Sequence, residues 1–139
     1  MEASLEDERI IRAAESVIDE AVEFTRELIR IPTVNPPGDF YEDGARCIGR
    51  WLKGKGFTEE YIAAEGMPEH TAKHPRVNVI GRKEGARAGK TLHLNGHFDV
   101  VPPEPDDSQS AGGQLQHSFW GRRAADMKTV VATYLVWMK

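Results

Sequence analysis

Apolar residues recur at helical spacing through residues 5–30. The repeat is made up of Ile10, Ile11, Ala14, Val17, Ile18, Ala21, Val22, Leu28 and Ile29. Charged side chains fill the opposite face, as is typical of an amphipathic helix. Ser16 followed by Asp19 resembles a capping box, so the pattern predicts either one helix or two helices divided at this point.

A second helix is predicted from Tyr41 to about Lys53. Three prolines at positions 32, 36 and 37 end the preceding helix, because proline removes a backbone donor and biases its predecessor to extended geometry. Glycines follow the second helix and supply its stop. Its buried face is expected to consist of Ala45, Ile48 and Leu52.

The β-favouring runs that follow predict three strands, over residues 57–63, 76–82 and 91–94. The polar stretches 65–75 and 104–116 lack periodicity and are predicted to be exposed loops. His93 is expected to pack within its strand. The residues expected to be buried in the core are Leu28, Ile48, Leu52, Val77, Val79, Leu92 and Leu94.

The chain ends in a predicted helix, residues 126–139, that is apolar on every side and should be covered on every side. Helices flanking strands in this order indicate an α/β fold, with helices packed on a mixed, mainly parallel sheet. The length of 139 residues is enough for one domain with a real hydrophobic core.

Net charge and the distribution of apolar residues argue against nucleic-acid-binding, secreted and membrane-spanning proteins. The net charge of −4, without a cluster of Lys and Arg, argues against a nucleic-acid partner. The acidic amino terminus does not resemble a secretory signal, and no apolar run approaches the roughly 20 residues that a membrane helix needs. We therefore expect a cytoplasmic protein without a membrane partner. The single cysteine, Cys47, is expected to be a small core residue.

His97 and Asp99 follow the third predicted strand. Side chains at i and i+2 project from the same face of a strand, so these two share a face if the extended geometry continues that far. A histidine that binds metal through one ring nitrogen needs its other N–H held, commonly by a carboxylate. The alternative is structural, with His97 ending a strand and Asp99 starting a turn.

Asp126 lies where the last loop ends and the final helix begins. A carboxylate is favoured there by the helix dipole, so Asp126 could simply be the N-cap. Small residues precede it at positions 121, 124 and 125, and would allow the backbone to approach a site. Ligands of α/β proteins gather at the carboxyl ends of strands, where His97 is also expected. A site carboxylate is therefore the second interpretation.

Two motifs in this order carry a resemblance to a known family. Residues 96–102 read Gly-His-Phe-Asp-Val-Val-Pro, and residues 121–128 read Gly-Arg-Arg-Ala-Ala-Asp-Met-Lys. Together they resemble the signature motifs of the di-zinc metallopeptidases and deacylases, which include acetylornithine deacetylase, succinyl-diaminopimelate desuccinylase, aminoacylases and glutamate carboxypeptidases. The resemblance covers nearly the whole chain and implies that residues 1–139 are the amino-terminal part of the catalytic domain.

The resemblance implies a role for each matching residue. His97 would bind one zinc, Asp126 would bridge two zincs, and Asp99 would serve catalysis by orienting His97. The implied cofactor is a pair of zinc ions, with cobalt as a substitute, that activates water and polarises the scissile carbonyl. The implied reaction is hydrolysis of an N-acyl or peptide amide bond in a small-molecule substrate, releasing a free amino acid. A homo-oligomer is a possible assembly.

The chain also departs from the family pattern. Arg123 stands where the family has a second glycine, and Thr129 is β-branched where a small residue is usual. The family's general base and remaining ligands follow the second motif, so we expect residues 1–139 alone to be inactive. The competing hypothesis is a non-catalytic truncated homologue that acts as a binding or assembly module. A third hypothesis is a protein that binds a single zinc through the loop containing His70 and His74. His117 matches no ligand of the family and is expected to be exposed.

Overall fold

Two helices form the amino-terminal part of the chain in the computed structural model, which describes residues 4–102, 113–115, 118–120 and 124–138. Helix α1, Leu5–Glu15, begins with a capping box in which Ser4 and Asp7 exchange hydrogen bonds of 3.2 and 2.9 Å. Helix α2 spans Ile18–Arg30. The predicted division is confirmed, but the capping box predicted at Ser16 is wrong. Ser16 instead ends α1, and its hydroxyl donates to the Ala13 carbonyl.

Helix α3, Tyr41–Gly54, confirms the second predicted helix and supplies much of the core. Phe24 of α2 is fully buried and stacks on Trp51 of α3, with ring centroids 4.2 Å apart. Cys47 is buried, as expected, and burial raises the pKa of its thiol to about 11. The core cluster contains Phe24, Leu28, Ala45, Cys47, Ile48, Leu52, Phe98, Val131, Ala132 and Leu135.

Strands β1, Thr58–Ala63, and β2, Val77–Arg82, confirm two of the predicted strands. They pair antiparallel, with Tyr61 opposite Val79. Helix α3 lies close against this pair. A Cβ at Gly49 would clash with the Tyr61 ring, and a Cβ at Gly81 would clash with Leu52, so both glycines allow the close packing.

The predicted mainly parallel sheet is not confirmed in the described parts of the chain. Strands β3, Gly113–Leu115, and β4, Ser118–Trp120, form a second antiparallel pair. Within the described residues, parallel pairing is limited to one bridge, between Val34 and Val100. Residues 113–115 therefore correct the prediction that all of 104–116 is an exposed loop. Residues 104–112 and 116 lie outside the described chain.

The strand predicted over residues 91–94 is wrong. These residues form no regular element and have no pairing partner among the described strands, and β propensity yields a strand only where a neighbouring strand accepts its hydrogen bonds. Leu92 is 80% exposed, Leu94 is 36% exposed and His93 is also exposed, so none of the three packs in the core as predicted. Leu28, Ile48 and Leu52 are buried as predicted, whereas Val77 and Val79 are partly buried against the core.

A kinked turn, Ala124–Lys128, leads into helix α4, Thr129–Trp137, which confirms a final helix. Helix α4 packs on α2 and buries Val131, Ala132, Leu135 and Val136. The expectation that it is covered on every side is wrong, because Trp137 is 65% exposed. None of the helices in the described ranges is both long and apolar enough to cross a membrane.

Candidate metal site

The imidazole of His97 lies between two carboxylates. Its Nδ1 atom is 3.1 Å from Oδ1 of Asp99, and its Nε2 atom is 3.6 Å from Oδ1 of Asp126. The side chains of His97 and Asp126 are 51% and 59% exposed, whereas that of Asp99 is 25% exposed. The three candidate residues from the sequence thus meet at one place near the surface.

Alternating burial places His97 and Asp99 on the same side of their segment. Phe98 and Val100 point into the core between and after them. The segment is held next to residues 33–35, because the Val100 N–H donates to Thr33 O and the Asn35 N–H donates to Val100 O, both at 2.8 Å. This short parallel bridge provides the extended geometry that the sharing of one face requires.

Asp126 reaches the site because the turn that carries it packs on the His97 segment. A Cβ at Gly96 would lie 3.0 Å from Met127 and 3.1 Å from Val131, so glycine permits this approach. The backbone of Asp126 is non-helical, with φ −121° and ψ 96°, whereas Lys128 already has helical angles, φ −56° and ψ −41°. A non-helical residue just before helical backbone is typical of an N-cap, so the N-cap interpretation of Asp126 stands beside the site interpretation.

Lys128 anchors the same turn in the core. Its buried ammonium donates hydrogen bonds of 2.8 and 2.6 Å to the carbonyls of Leu28 and Ile31, at the end of α2. The Leu28 carbonyl also accepts from the Ile31 N–H at 3.3 Å, and the Ile31 carbonyl accepts from the Thr33 N–H at 2.9 Å, so the ammonium is a second donor to each. Burial lowers the pKa of Lys128 to about 8, against the weaker effect of Cys47 and Asp99. The turn before α4 is thereby tied to α2.

Asp99 is held by two donors on the side away from His97. The Tyr41 hydroxyl donates to Oδ2 of Asp99 at 2.7 Å, and the Asn35 amide donates to the same oxygen at 3.0 Å. Burial opposes ionisation of Asp99, but these hydrogen bonds and the nearby imidazole outweigh it and lower its pKa. Burial, followed by the contact with Asp99, raises the pKa of Tyr41.

Arg76 extends this arrangement by one more residue. Its Nη2 atom donates to Oδ1 of Asn35 at 3.0 Å and to the Pro37 carbonyl at 2.9 Å, and its guanidinium lies 4.6 Å from the centroid of the Tyr41 ring. Sequence reasoning missed Asn35, Tyr41 and Arg76 as parts of the site. Asn35 lies in a predicted loop, and Tyr41 and Arg76 are the first residues of a predicted helix and a predicted strand, so their positions gave no sign that they converge on Asp99.

The histidine-containing loop does not form a site of its own. Nδ1 of His70 accepts a hydrogen bond from the Arg76 N–H at 3.1 Å, and Nδ1 of His74 lies 3.1 Å from Asp39. Both histidines are partly buried, so the prediction that they belong to an exposed loop is wrong for their side chains. Their separate partners give the single-zinc hypothesis no support.

The donor types at His97 and Asp126 suit zinc. Zinc binds imidazole nitrogen and carboxylate oxygen at about 2.0–2.2 Å, so two donor atoms 3.6 Å apart can reach one ion. Asp99 stands behind Nδ1, where a metal-bound histidine usually has its second partner. Within residues 4–102 and the later described segments, no group of three or more metal-binding side chains is assembled. The described chain therefore offers two suitable donors and one supporting carboxylate.

A cavity of about 310 Å³ lies beside Tyr41. Its lining residues are Asp39, Phe40, Tyr41, Glu42, Asp43, Lys73, His74 and Pro75. None of them is His97, Asp99 or Asp126, so the cavity contacts the candidate site only through Tyr41.

Gly121 and Arg123 of the second motif, and His117 before it, lie outside the described residues. The expected effect of Arg123 therefore stays a prediction. Thr129, the β-branched departure, lies exposed in the first turn of α4, and its carbonyl accepts a hydrogen bond from Thr133. The helix forms with threonine at this position.

Comparisons with known proteins show several relatives of one kind. The chain is 35% identical over 123 residues to the succinyl-diaminopimelate desuccinylase of Cereibacter sphaeroides. The aligned region covers 82% of this chain and 28% of that protein. The proteins of the same name from Paracoccus denitrificans and Burkholderia pseudomallei are 33% and 36% identical, over 84% and 81% of this chain and 28% of each relative.

The chain thus spans 28% of the length of these curated relatives. No family model and no solved structure matches it. The relatives nevertheless align with more than four-fifths of the chain, and the resemblance carried by the two motifs implies the same group of proteins. The chain is thus related, over more than four-fifths of its length, to the succinyl-diaminopimelate desuccinylases.

Proposed function

We propose that His97 and Asp126 are metal ligands of a zinc-dependent amidohydrolase that removes an acyl group from an amino acid. The observation that carries the proposal is the placement of one imidazole between two carboxylates, with each ring nitrogen facing a different one. A structural histidine needs one hydrogen-bond partner. A metal-binding histidine needs one nitrogen supported and the other directed at the ion, together with further ligands.

Each residue has a defined task in this proposal. The main-chain carbonyl of Asp99 lies 3.3 Å from Nδ1 of His97 and its carboxylate Oδ1 lies 3.1 Å away, so Asp99 would hold the Nδ1–H and leave Nε2 to face the ion. Asp126 would supply a carboxylate oxygen beside Nε2, and its negative charge would offset the repulsion between two ions. When bound, zinc supplies polarisation of the scissile carbonyl and activation of the attacking water.

The substrate class comes from the relatives, whose name describes removal of a succinyl group. We infer that the substrate is a small N-acyl amino acid, with succinylated compounds the first to test. A catalytic zinc takes about three protein ligands and a water molecule, whereas His97 and Asp126 are two. The isolated chain should therefore bind zinc without catalysing turnover.

Zinc binding to the purified chain tests the metal site. In competition against a chromogenic chelator, the wild-type chain should bind zinc, and Asp126→Asn should bind it at least about tenfold more weakly, because the amide is a poorer ligand than the carboxylate. Asp19→Asn, an exposed change in α2, is the matched control and should leave the affinity unchanged. Equal affinities of the wild type and Asp126→Asn would contradict the proposal.

The same preparations test the inactivity of the chain. Incubated with zinc and N-succinyl amino acids, the wild-type chain should release no free amino acid above the level of Asp126→Asn. Turnover that disappears in Asp126→Asn would show that residues 1–139 supply enough ligands for catalysis, and would overturn the expectation that the chain alone is inactive.

A further inference from the structure

We infer that Thr33 is a positioning residue that fixes the main chain on both sides of Asp99 and thereby places His97 for metal binding. The inference rests on the proposed function, because it concerns the histidine proposed as a ligand. Thr33 is buried between α2 and α3. Its side chain and its main chain each bond to one of the two peptide groups that flank Asp99.

The peptide group before Asp99 is held by the hydroxyl of Thr33. That hydroxyl donates a hydrogen bond to the Phe98 carbonyl at a buried position. In a continuing parallel ladder, the Thr33 N–H would make this bond. The Thr33 N–H instead donates to the Ile31 carbonyl at 2.9 Å, in the tight turn that follows α2. The hydroxyl therefore replaces the backbone donor at this step of the ladder.

The peptide group after Asp99 is held by the main chain of Thr33, whose carbonyl accepts from the Val100 N–H at 2.8 Å. The Asp99 carbonyl lies in the same peptide plane as that N–H and points the opposite way, because the peptide is planar and trans. This carbonyl is 3.3 Å from Nδ1 of His97, and carboxylate Oδ1 of Asp99 is 3.1 Å away. Both partners of Nδ1 thus belong to a residue whose two flanking peptide groups are bonded to Thr33.

The methyl group of Thr33 is packed as closely as its hydroxyl is bonded. A Cβ at Gly44 of α3 would lie 2.9 Å from the Thr33 methyl carbon and 2.9 Å from the Phe98 ring. The Phe98 ring also packs edge-on against Tyr41, with centroids 5.5 Å apart. This packing keeps the methyl group on the side of α3 and the hydroxyl on the Phe98 carbonyl.

The same loop also holds the turn that carries Asp126. The Ile31 carbonyl that accepts the Thr33 N–H accepts the Lys128 ammonium at 2.6 Å. The segment with His97 and the turn with Asp126 are therefore both bonded to residues 31–33. Loss of the Thr33 hydroxyl should disturb the first set of bonds and leave the second, so that Nε2 of His97 is placed less well against Asp126.

Thr33→Val tests the role of the hydroxyl, because valine keeps the branched shape and cannot donate a hydrogen bond. In competition against a chromogenic chelator, its zinc affinity should fall by about tenfold, as expected for a lost partner behind a ligand. In the metal-free chain, the ¹H–¹⁵N signals of the His97 ring should shift from their wild-type positions, since the carbonyl beside Nδ1 is less well held. Thr33→Ser keeps the hydroxyl and should retain the wild-type affinity and ring signals.

Thr25→Val is the matched control, because Thr25 is a buried threonine of α2 and undergoes the same chemical change. It should leave the zinc affinity and the His97 ring signals as in the wild type, whatever its effect on stability. If the added methyl group of Thr33→Val prevents folding, Thr33→Ala compared with Thr33→Ser makes the same test, since those two variants differ by the hydroxyl alone.

The two readouts separate this inference from the proposed function. Shifted ring signals in Thr33→Val, with wild-type signals in Thr33→Ser and Thr25→Val, support the positioning role even if the wild-type chain binds no zinc, an outcome that would refute the metal site. Zinc binding that depends on Asp126 but is unchanged in Thr33→Val, with unchanged ring signals, would overturn the positioning role and leave the metal site standing. Equal losses in Thr33→Ser and Thr33→Val would also overturn it, because packing rather than the hydroxyl would then be responsible.

Discussion

Lys128→Met is expected to lower the free energy of unfolding by about 1–3 kcal/mol, because it removes two hydrogen bonds from a charged donor to carbonyls at the end of α2, which keep only their backbone donors. Methionine preserves most of the apolar length of the side chain. The loss therefore reports on the hydrogen bonds from the ammonium to Leu28 and Ile31 and on its favourable position at a helix carboxyl end, rather than on a cavity.

Urea unfolding of the metal-free chain measures this effect. Lys90→Met, at an exposed position of the segment after β2, is the matched control and should stay within about 0.5 kcal/mol of the wild type. If Lys128→Met were as stable as Lys90→Met, the hydrogen bonds from the Lys128 ammonium to α2 would not contribute to the free energy of unfolding. The claim that they anchor the turn that carries Asp126 would then be wrong.

His97→Ala is expected to weaken zinc binding by at least about 100-fold, because it removes a ligand rather than a partner of a ligand. The imidazole is half exposed, so the fold should be retained. Of the two proposed ligands only Asp126 would then remain, and Asp99 would no longer have an imidazole to orient.

Isothermal titration calorimetry with zinc measures the loss, and near-ultraviolet circular dichroism verifies the fold. His93→Ala removes an exposed histidine four positions earlier and should leave the affinity unchanged. Equal losses in His97→Ala and His93→Ala would mean that zinc binds to histidines without selection, and that the contact with Asp126 has no role in holding the ion.

Local patterns predicted the elements whose stability comes from nearby residues. The helical repeats gave α2 and α3, and the interruption at Ser16 gave the division between α1 and α2. The strand predicted at 91–94 failed because a strand depends on a partner, and periodicity in one segment carries no information about the partner. Its exposed Leu92 follows from the same cause.

The candidate site divides in the same way. His97 and Asp99 were found because two residues of spacing in an extended segment is a local geometric rule. Asp126 was found through the second motif and the family resemblance. Asn35 and Arg76 were not found, because their contact spans 41 positions and depends on how the loop before α3 packs on β2. Such contacts leave no periodic signal in the sequence.

The central claim is that His97 and Asp126 bind the same ion. A double-mutant cycle in zinc binding, with wild type, His97→Ala, Asp126→Asn and the double variant, tests it most directly. If both donors contact one ion, the second substitution costs less once the first has been made, and we expect a coupling free energy of at least about 1 kcal/mol. Losses that add to within about 0.5 kcal/mol, or no loss from either substitution, would contradict a shared metal site.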